Sequence, residues 1–338
     1  MNIGLDLGYG YVKGVNDKGK KILFPSIVSI GFDRLLSGIF NSNESIVENM
    51  YVKIADDDGE KSYYIGELAK REGFSDSFML DTDKYNQSEA KALLSAATAL
   101  LMTDEDKTIN IVTGLPLKQY QTYRKQFEEE IKKYKAIVSF PEYNMTKIIK
   151  FDKVIVFPQA AGAVYYALMN NLDKYMIKNS YIVLIDVGFK TTDYVVFLID
   201  NRPRFSPDLS GTLDIGISKI FTALDKLFTQ KTGSNTDTEG LMSILENNNI
   251  YFRGQYIDFS KELNVLKNEL ARLIKKSILN SLKDKYEKVS TMFVAGGGGK
   301  DLYPFLKDAH TNVELVKDAQ FANAYGFLKV CQMQQNIA

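Results

Sequence analysis

The chain has no tryptophan, one histidine (His310), one cysteine (Cys331) and 7 prolines in 338 residues, and each scarcity removes a class of chemistry. A single histidine and a single cysteine cannot build a His/Cys metal centre or a histidine-centred relay, so both are read as structural. One cysteine also excludes an internal disulfide framework. The opening Met1-Asn2-Ile3-Gly4-Leu5-Asp6-Leu7 enters a strand pattern with no basic or apolar leader, so a reducing, cytoplasmic setting is expected. No apolar run reaches the roughly eighteen residues of a membrane-spanning helix, and no segment is basic and amphipathic enough for a surface anchor. Net charge is missing too: Lys plus Arg and Asp plus Glu each number 42. No positive field draws in nucleic acid or an anionic membrane, so no direct contact with either is expected.

What is present is an ordinary globular balance, 45% hydrophobic and 25% charged, long enough for two domains with separate cores. Ile3–Leu7, Tyr11–Asn16 and Lys21–Phe24 read as an antiparallel meander, split at Gly8-Tyr9-Gly10 and Lys18-Gly19-Lys20. From Pro25 to about Asp83 the pattern is irregular, with a polar Asn41–Glu48 stretch and strand-like Met50–Ile54 and Ser62–Ile65, which predicts an inserted small subdomain. Periodicity then predicts helices over Ser88–Met102, Gln119–Tyr134 and Gln159–Asn170, with strands at Asn110–Thr113 and Val154–Phe157. At Tyr181–Asp186 and Thr191–Ile199 the strand, turn, strand order of the opening repeats, which predicts two halves on one plan. Further helices are expected over Lys219–Thr229, Thr238–Asn247, Lys261–Tyr286 and Ala319–Gln332, and a strand over Thr291–Ala295.

Three segments carry chemistry. In Asp6-Leu7-Gly8-Tyr9-Gly10-Tyr11-Val12-Lys13, alternate glycines let a tight turn bring backbone N–H groups against an anion. Lys13 returns as a point charge for phosphate oxygens, and Asp6 suits a hydrated Mg²⁺. Taken alone, a bare hairpin with two glycines is more often only a turn. The second hairpin, Asp186-Val187-Gly188-Phe189-Lys190-Thr191-Thr192-Asp193, offers the same parts with two hydroxyls, and the ordered pair predicts a triphosphate clamp. The third is Phe293-Val294-Ala295-Gly296-Gly297-Gly298-Gly299, a strand running into glycines and then a helix start. It is either a nucleoside-contacting loop or a flexible linker.

Together these motifs resemble the actin, sugar-kinase and chaperone ATPase superfamily. Their wording, with Phe24-Pro25-Ser26, Thr113-Gly114-Leu115-Pro116 and Leu213-Asp214-Ile215-Gly216, is similar to plasmid-segregation actins of the ParM type and to archaeal actins. The resemblance implies an α/β, actin-like fold: two related domains with mixed five-stranded sheets flanked by helices and a nucleotide cleft between them. Domain I is expected over 1–165 plus 320–338, with the insertion at about 25–83, and domain II over 166–319.

By the same resemblance, Asp6 and Asp186 hold Mg²⁺, through water. Gly8, Tyr9, Gly10, Tyr11, Lys13, Gly188, Phe189, Lys190, Thr191 and Thr192 contact phosphate, and Gly296, Gly297 and Gly298 contact the nucleoside. The Phe189 ring must then point away from the phosphates. Gln159 falls where the family orients the attacking water, or else it caps the helix after Pro158. Asp214 either approaches the nucleotide or caps a helix from Ile215, and Lys275-Lys276 either reach the ribose or lie on a solvated face. The implied function is a homopolymer filament driven by ATP or GTP hydrolysis, serving plasmid segregation through a DNA-binding adaptor. A non-DNA cytoskeletal filament and a non-polymerising, kinase-like ATPase are the alternatives.

Overall fold

A computed structural model describes residues 1–34, 44–74, 88–169 and 172–333. Parts of the expected insertion, residues 35–43 and 75–83, lie outside the described residues. The chain divides into two compact units, one of residues 1–166 with 323–338 and one of residues 167–322.

In the first unit the strands are β1 (Asn2–Leu7), β2 (Tyr11–Asn16), β3 (Lys21–Pro25), β4 (Val28–Ile30), β5 (Met50–Asp56), β6 (Gly59–Ile65), β7 (Ile109–Leu115), β8 (Lys135–Phe140) and β9 (Met145–Pro158). They form one nine-stranded sheet in the order β3-β2-β1-β7-β9-β8-β5-β6-β4. Its first five strands match the five-stranded expectation. The sheet continues because β9 is 14 residues long: its C-terminal half pairs with β7 in parallel and its N-terminal half with β8 antiparallel. The small subdomain is therefore more than an insertion, since β8 joins β5.

Strand β1 is buried along its whole length, as a central strand covered on both faces must be. The helix Ser88–Leu101 packs one face, with Ile3 and Leu5 in the same core as Leu93, Ala97 and Leu100. On the other face a Cβ at Gly4 would strike the Ala324 backbone, so its absence admits the helix Ala322–Met333. That helix was expected from Ala319, but Asp318 in the left-handed region and a 3₁₀ turn over Ala319–Phe321 delay its start.

The second unit contains β10 (Ser180–Val187), β11 (Thr192–Ile199), β12 (Pro203–Phe205), β13 (Gly211–Leu213), β14 (Asn249–Phe252), β15 (Gln255–Asp258), β16 (Val289–Ala295) and β17 (Val313–Leu315). Its main path is β12-β11-β10-β16-β17, with β13 also on β11 and β14-β15 as a separate hairpin. The repeat is now explicit. In both units a strand with Asp as its next-to-last residue forms an antiparallel hairpin on one side and a parallel pair on the other: β2-β1-β7 in the first, β11-β10-β16 in the second. The long helix ends at Leu282, short of the expected Tyr286, where Lys283 turns to φ 49°.

Candidate nucleotide site

The first hairpin places Asp6 opposite Lys13 in the β1–β2 register. Lys13 Nζ donates to Asp6 Oδ2 at 3.3 Å, and Gln159 Nε2 donates to Asp6 Oδ1 at 3.1 Å. Asp6 is only 5% exposed and Gln159 8%, so both carboxylate oxygens are satisfied by a fixed cation and a fixed amide. Gln159 thus reaches Asp6 with its side chain and does not cap the following helix, which starts at Ala161. Ser26 holds the turn: its Oγ donates to Gly8 O at 2.7 Å and its N–H to Gly10 O at 2.8 Å. A Cβ at Gly8 would lie 2.7 Å from Tyr11 O and 2.9 Å from Lys13 Nζ, so only glycine lets Lys13 fold over the turn. Tyr9 is buried with its hydroxyl accepting from Gln119, which leaves its backbone as the part of the residue in the turn.

The second hairpin is anchored in the same sense by different residues. Ile217 N–H donates to Gly188 O at 3.2 Å, Ser218 N–H to Phe189 O at 2.7 Å, and Gly188 N–H to Thr191 O at 2.9 Å. The Phe189 ring packs edge-on against Phe221, 5.1 Å between centroids, on the helix Ser218–Thr232. Thr192 is fully buried and its hydroxyl donates to Ile215 O at 2.7 Å, which braces the hairpin. Opposite Asp186 stands Asp193, whose Oδ1 accepts from Thr212 Oγ1 at 2.5 Å.

The glycine run joins this hairpin through the sheet, since Asp186 is the register partner of Ala295. It is not a linker. The helix Gly297–Leu306 begins inside it, earlier than expected, and the three glycines differ in surroundings. Gly296, at φ 86°, lies where a Cβ would collide with the Asp186 carboxylate and the Val187 carbonyl. Gly298 abuts Ile217, with 2.5 Å left for a Cβ, whereas Gly297 has nothing nearer than Gln320 at 3.9 Å.

The sequence model of the actin-like protein N-terminal domain matches residues 4–162, and that of the archaeal actin homologue MreB-like C-terminal domain matches residues 184–308. A 15-stranded ParM filament from Clostridium botulinum is 39% identical, with a TM-score of 0.91 over 98% of this chain and 99% of that one. The chain belongs to the actin-like family. An archaeal actin homolog of Thermoplasma acidophilum is 25% identical over 96% of this actin-like chain and 97% of its own. An archaeal actin homolog solved in complex with ADP is 24% identical with a TM-score of 0.80, covering 98% and 99%, and shares the fold.

Within this actin-like protein the remaining predicted residues separate clearly. Asp214 is exposed and does not cap a helix, because the helix after it starts at Ser218 with Ile217 at its cap. Lys275 is committed to Asp308 at 2.7 Å on the surface, and Lys276 is exposed. His310 packs edge-on against Tyr286 and its Nδ1 accepts from Asn312 N–H, a structural role. Among the described residues no group of three or more His, Cys, Asp or Glu side chains could hold a metal ion, and no helix is long and apolar enough to cross a membrane. Asp6, next to last in β1, and Asp186, next to last in β10, are each a buried carboxylate, the donor chemistry a hydrated Mg²⁺ takes. With both Asp6 oxygens already bonded, contact through ion-bound water fits better there than direct ligation.

Ser26 and Asp193 were visible as letters of the quoted motifs, but nothing in spacing alone told that one pins the first turn and the other faces Asp186.

Proposed function

We propose that this actin-like protein binds ATP or GTP with Mg²⁺ and hydrolyses it, and that hydrolysis drives turnover of a homopolymer filament. Its cargo is plasmid DNA, held through a separate DNA-binding adaptor, since the chain has equal numbers of acidic and basic residues. The observation that carries the nucleotide reading is the common anchoring of the two hairpins. In each, two turn carbonyls accept hydrogen bonds from the fold: Gly8 and Gly10 from Ser26, Gly188 and Phe189 from Ile217 and Ser218. A trans peptide points its N–H opposite its C=O, so tying the carbonyls inward turns the Tyr9, Phe189 and Lys190 N–H groups toward the outer side of each turn. That is the side from which a phosphate would be bound.

Lys13 then supplies a positive charge, and Asp6 and Asp186 would hold Mg²⁺ through water. The ion supplies charge neutralisation for the phosphate oxygens. Gln159 cannot accept a proton as a carboxylate would, so its amide acts by orienting water. That suits slow, assembly-gated turnover. The nucleoside lies along Gly297, the glycine with open space. Support for a filament comes from the ParM relative solved as one. Replacing Asp186 with Ala tests the reading through Mg²⁺-dependent phosphate release, which should fall to background. A wild-type rate in that variant would contradict it.

A further inference from the structure

We propose that Asn323, near the start of the helix Ala322–Met333, is a positioning residue for Gln159; this rests on the reading of Gln159 as the water-orienting group. Ala160, which follows Gln159, has φ 66° and is completely buried. A residue with a Cβ holds that left-handed conformation only where its surroundings over-determine it. Three hydrogen bonds do so. Gln159 N–H donates to Leu115 O at 2.8 Å on β7, Val164 N–H donates to Ala160 O at 3.1 Å, and Ala160 N–H donates to Asn323 Oδ1 at 3.0 Å.

The first two are made by neighbouring backbone. The third is a side chain brought from 163 residues away, so it depends on how the terminal helix is seated. That seating is tight. Residues 323, 326 and 327 share one helical face. A Cβ at Gly326 would collide with Gly162 O, and the Phe327 ring fills the space that Gly114 and Gly162 leave. The Gln159 stem lies on the same strand end, its Cγ 2.9 Å from where a Gly114 Cβ would be. The Asn323 oxygen thus fixes one side of the turn that delivers the Gln159 amide to Asp6. Without it Ala160 N–H has lost its acceptor, the turn relaxes toward negative φ, and the amide leaves Asp6.

Phosphate release at saturating Mg²⁺-ATP and the nucleotide KM, with thermal melting alongside, are measured for wild type, Gln159→Ala, Asn323→Ala and the double variant. Asn323→Ala should lower kcat by about 10- to 100-fold, the scale of a small misplacement, with KM within about threefold. In the Gln159→Ala background it should lower kcat no further. Adding Ala160→Gly should restore part of the rate, since glycine takes the left-handed turn without strain. Asn323→Asp keeps the acceptor and should stay within about threefold of wild type. Asn323→Ser, which shortens its reach, gives the same contrast if the alanine variant does not fold. An unchanged rate in Gln159→Ala would overturn the reading of Gln159 itself. A slow Gln159→Ala with Asn323→Ala silent, equally harmful in both backgrounds, or acting on KM alone would overturn only the role of Asn323.

Discussion

Replacing Gly296 with Ala probes the support beneath Asp186, and the neighbouring Gly297→Ala provides its control. Gly296 sits at φ 86° and ψ 164°, a region essentially closed to other residues, so the substitution costs about 1–3 kcal/mol in backbone strain. Its Cβ would also meet the Asp186 carboxylate and the Val187 carbonyl, neither at the tip of a flexible chain, adding ~1–3 kcal/mol of overpacking. A total near 4 kcal/mol lowers the melting temperature of a unit this size by ~8–16 °C. Because the collision is with Asp186, phosphate release should fall as well. At Gly297 the added methyl has nothing nearer than Gln320 at 3.9 Å, so stability should stay within about 0.5 kcal/mol of wild type. Nucleotide affinity should nonetheless drop there, because the methyl stands where the nucleoside is proposed to lie. Calorimetry without nucleotide, followed by fluorescent-nucleotide titration, separates the two effects. A Gly296→Ala protein that melts with wild type, or a Gly297→Ala protein that binds nucleotide as wild type does, would refute the reasoning.

Ser26→Ala removes the hydroxyl that donates to Gly8 O at 2.7 Å; the loss, worth ~1 kcal/mol, should weaken nucleotide binding about 3- to 10-fold in the same titration. Thr113 is completely buried and its hydroxyl has no hydrogen-bond partner among the described residues, so Thr113→Val should raise stability by about 1–2 kcal/mol in a denaturant melt. A loss there would show that the hydroxyl is satisfied after all. Burial pushes the Cys331 thiol from 9.0 up to about 11 and the Tyr134 phenol from 10.0 up to about 12. Both groups stay neutral longer in the folded chain than in the unfolded one, so their contribution is complete below about pH 9 and is lost as pH rises through about 11 and 12. Melting across pH 8–12 should show the decline, and Cys331→Ala should delay its onset.

The parts of the molecule legible in the sequence are those whose instructions are local. Each Asp-x-Gly hairpin follows an apolar strand, and alternate glycines at a strand end leave few conformations, so β1–β2 and β10–β11 were readable with their turns. The helix Thr238–Asn247 was readable to the residue because Asp237 caps its start and Asn248 closes its end in the left-handed region. By contrast, β8 and the first half of β9 were missed. Their outward residues are Lys135, Ile137, Thr146, Ile148, Lys150 and Asp152, and lysine and aspartate at strand positions hide an alternation that burial makes plain. The strands β12, β13 and β17 have only three residues each, too few to show a period.

Within the site, residue types were visible and their duties were not. Thr191 and Thr192 look equivalent in sequence, yet Thr192 turns its hydroxyl into the fold toward Ile215. Gly296, Gly297 and Gly298 read as one run, but one makes room for a carboxylate, one faces open space and one packs on Ile217. The bond from Ala160 to Asn323 depends on how a terminal helix seats, and no spacing rule spans that distance along the chain.

The most direct test of the central claim follows light scattering and phosphate release together after Mg²⁺-ATP, then Mg²⁺-GTP, is added to micromolar protein, with sedimentation at the end and Asp186→Ala in parallel. The account predicts scattering that rises and then decays as phosphate appears, pelleted protein at the peak, and no phosphate from the variant. Phosphate release with neither scattering nor pellet would contradict a nucleotide-driven filament.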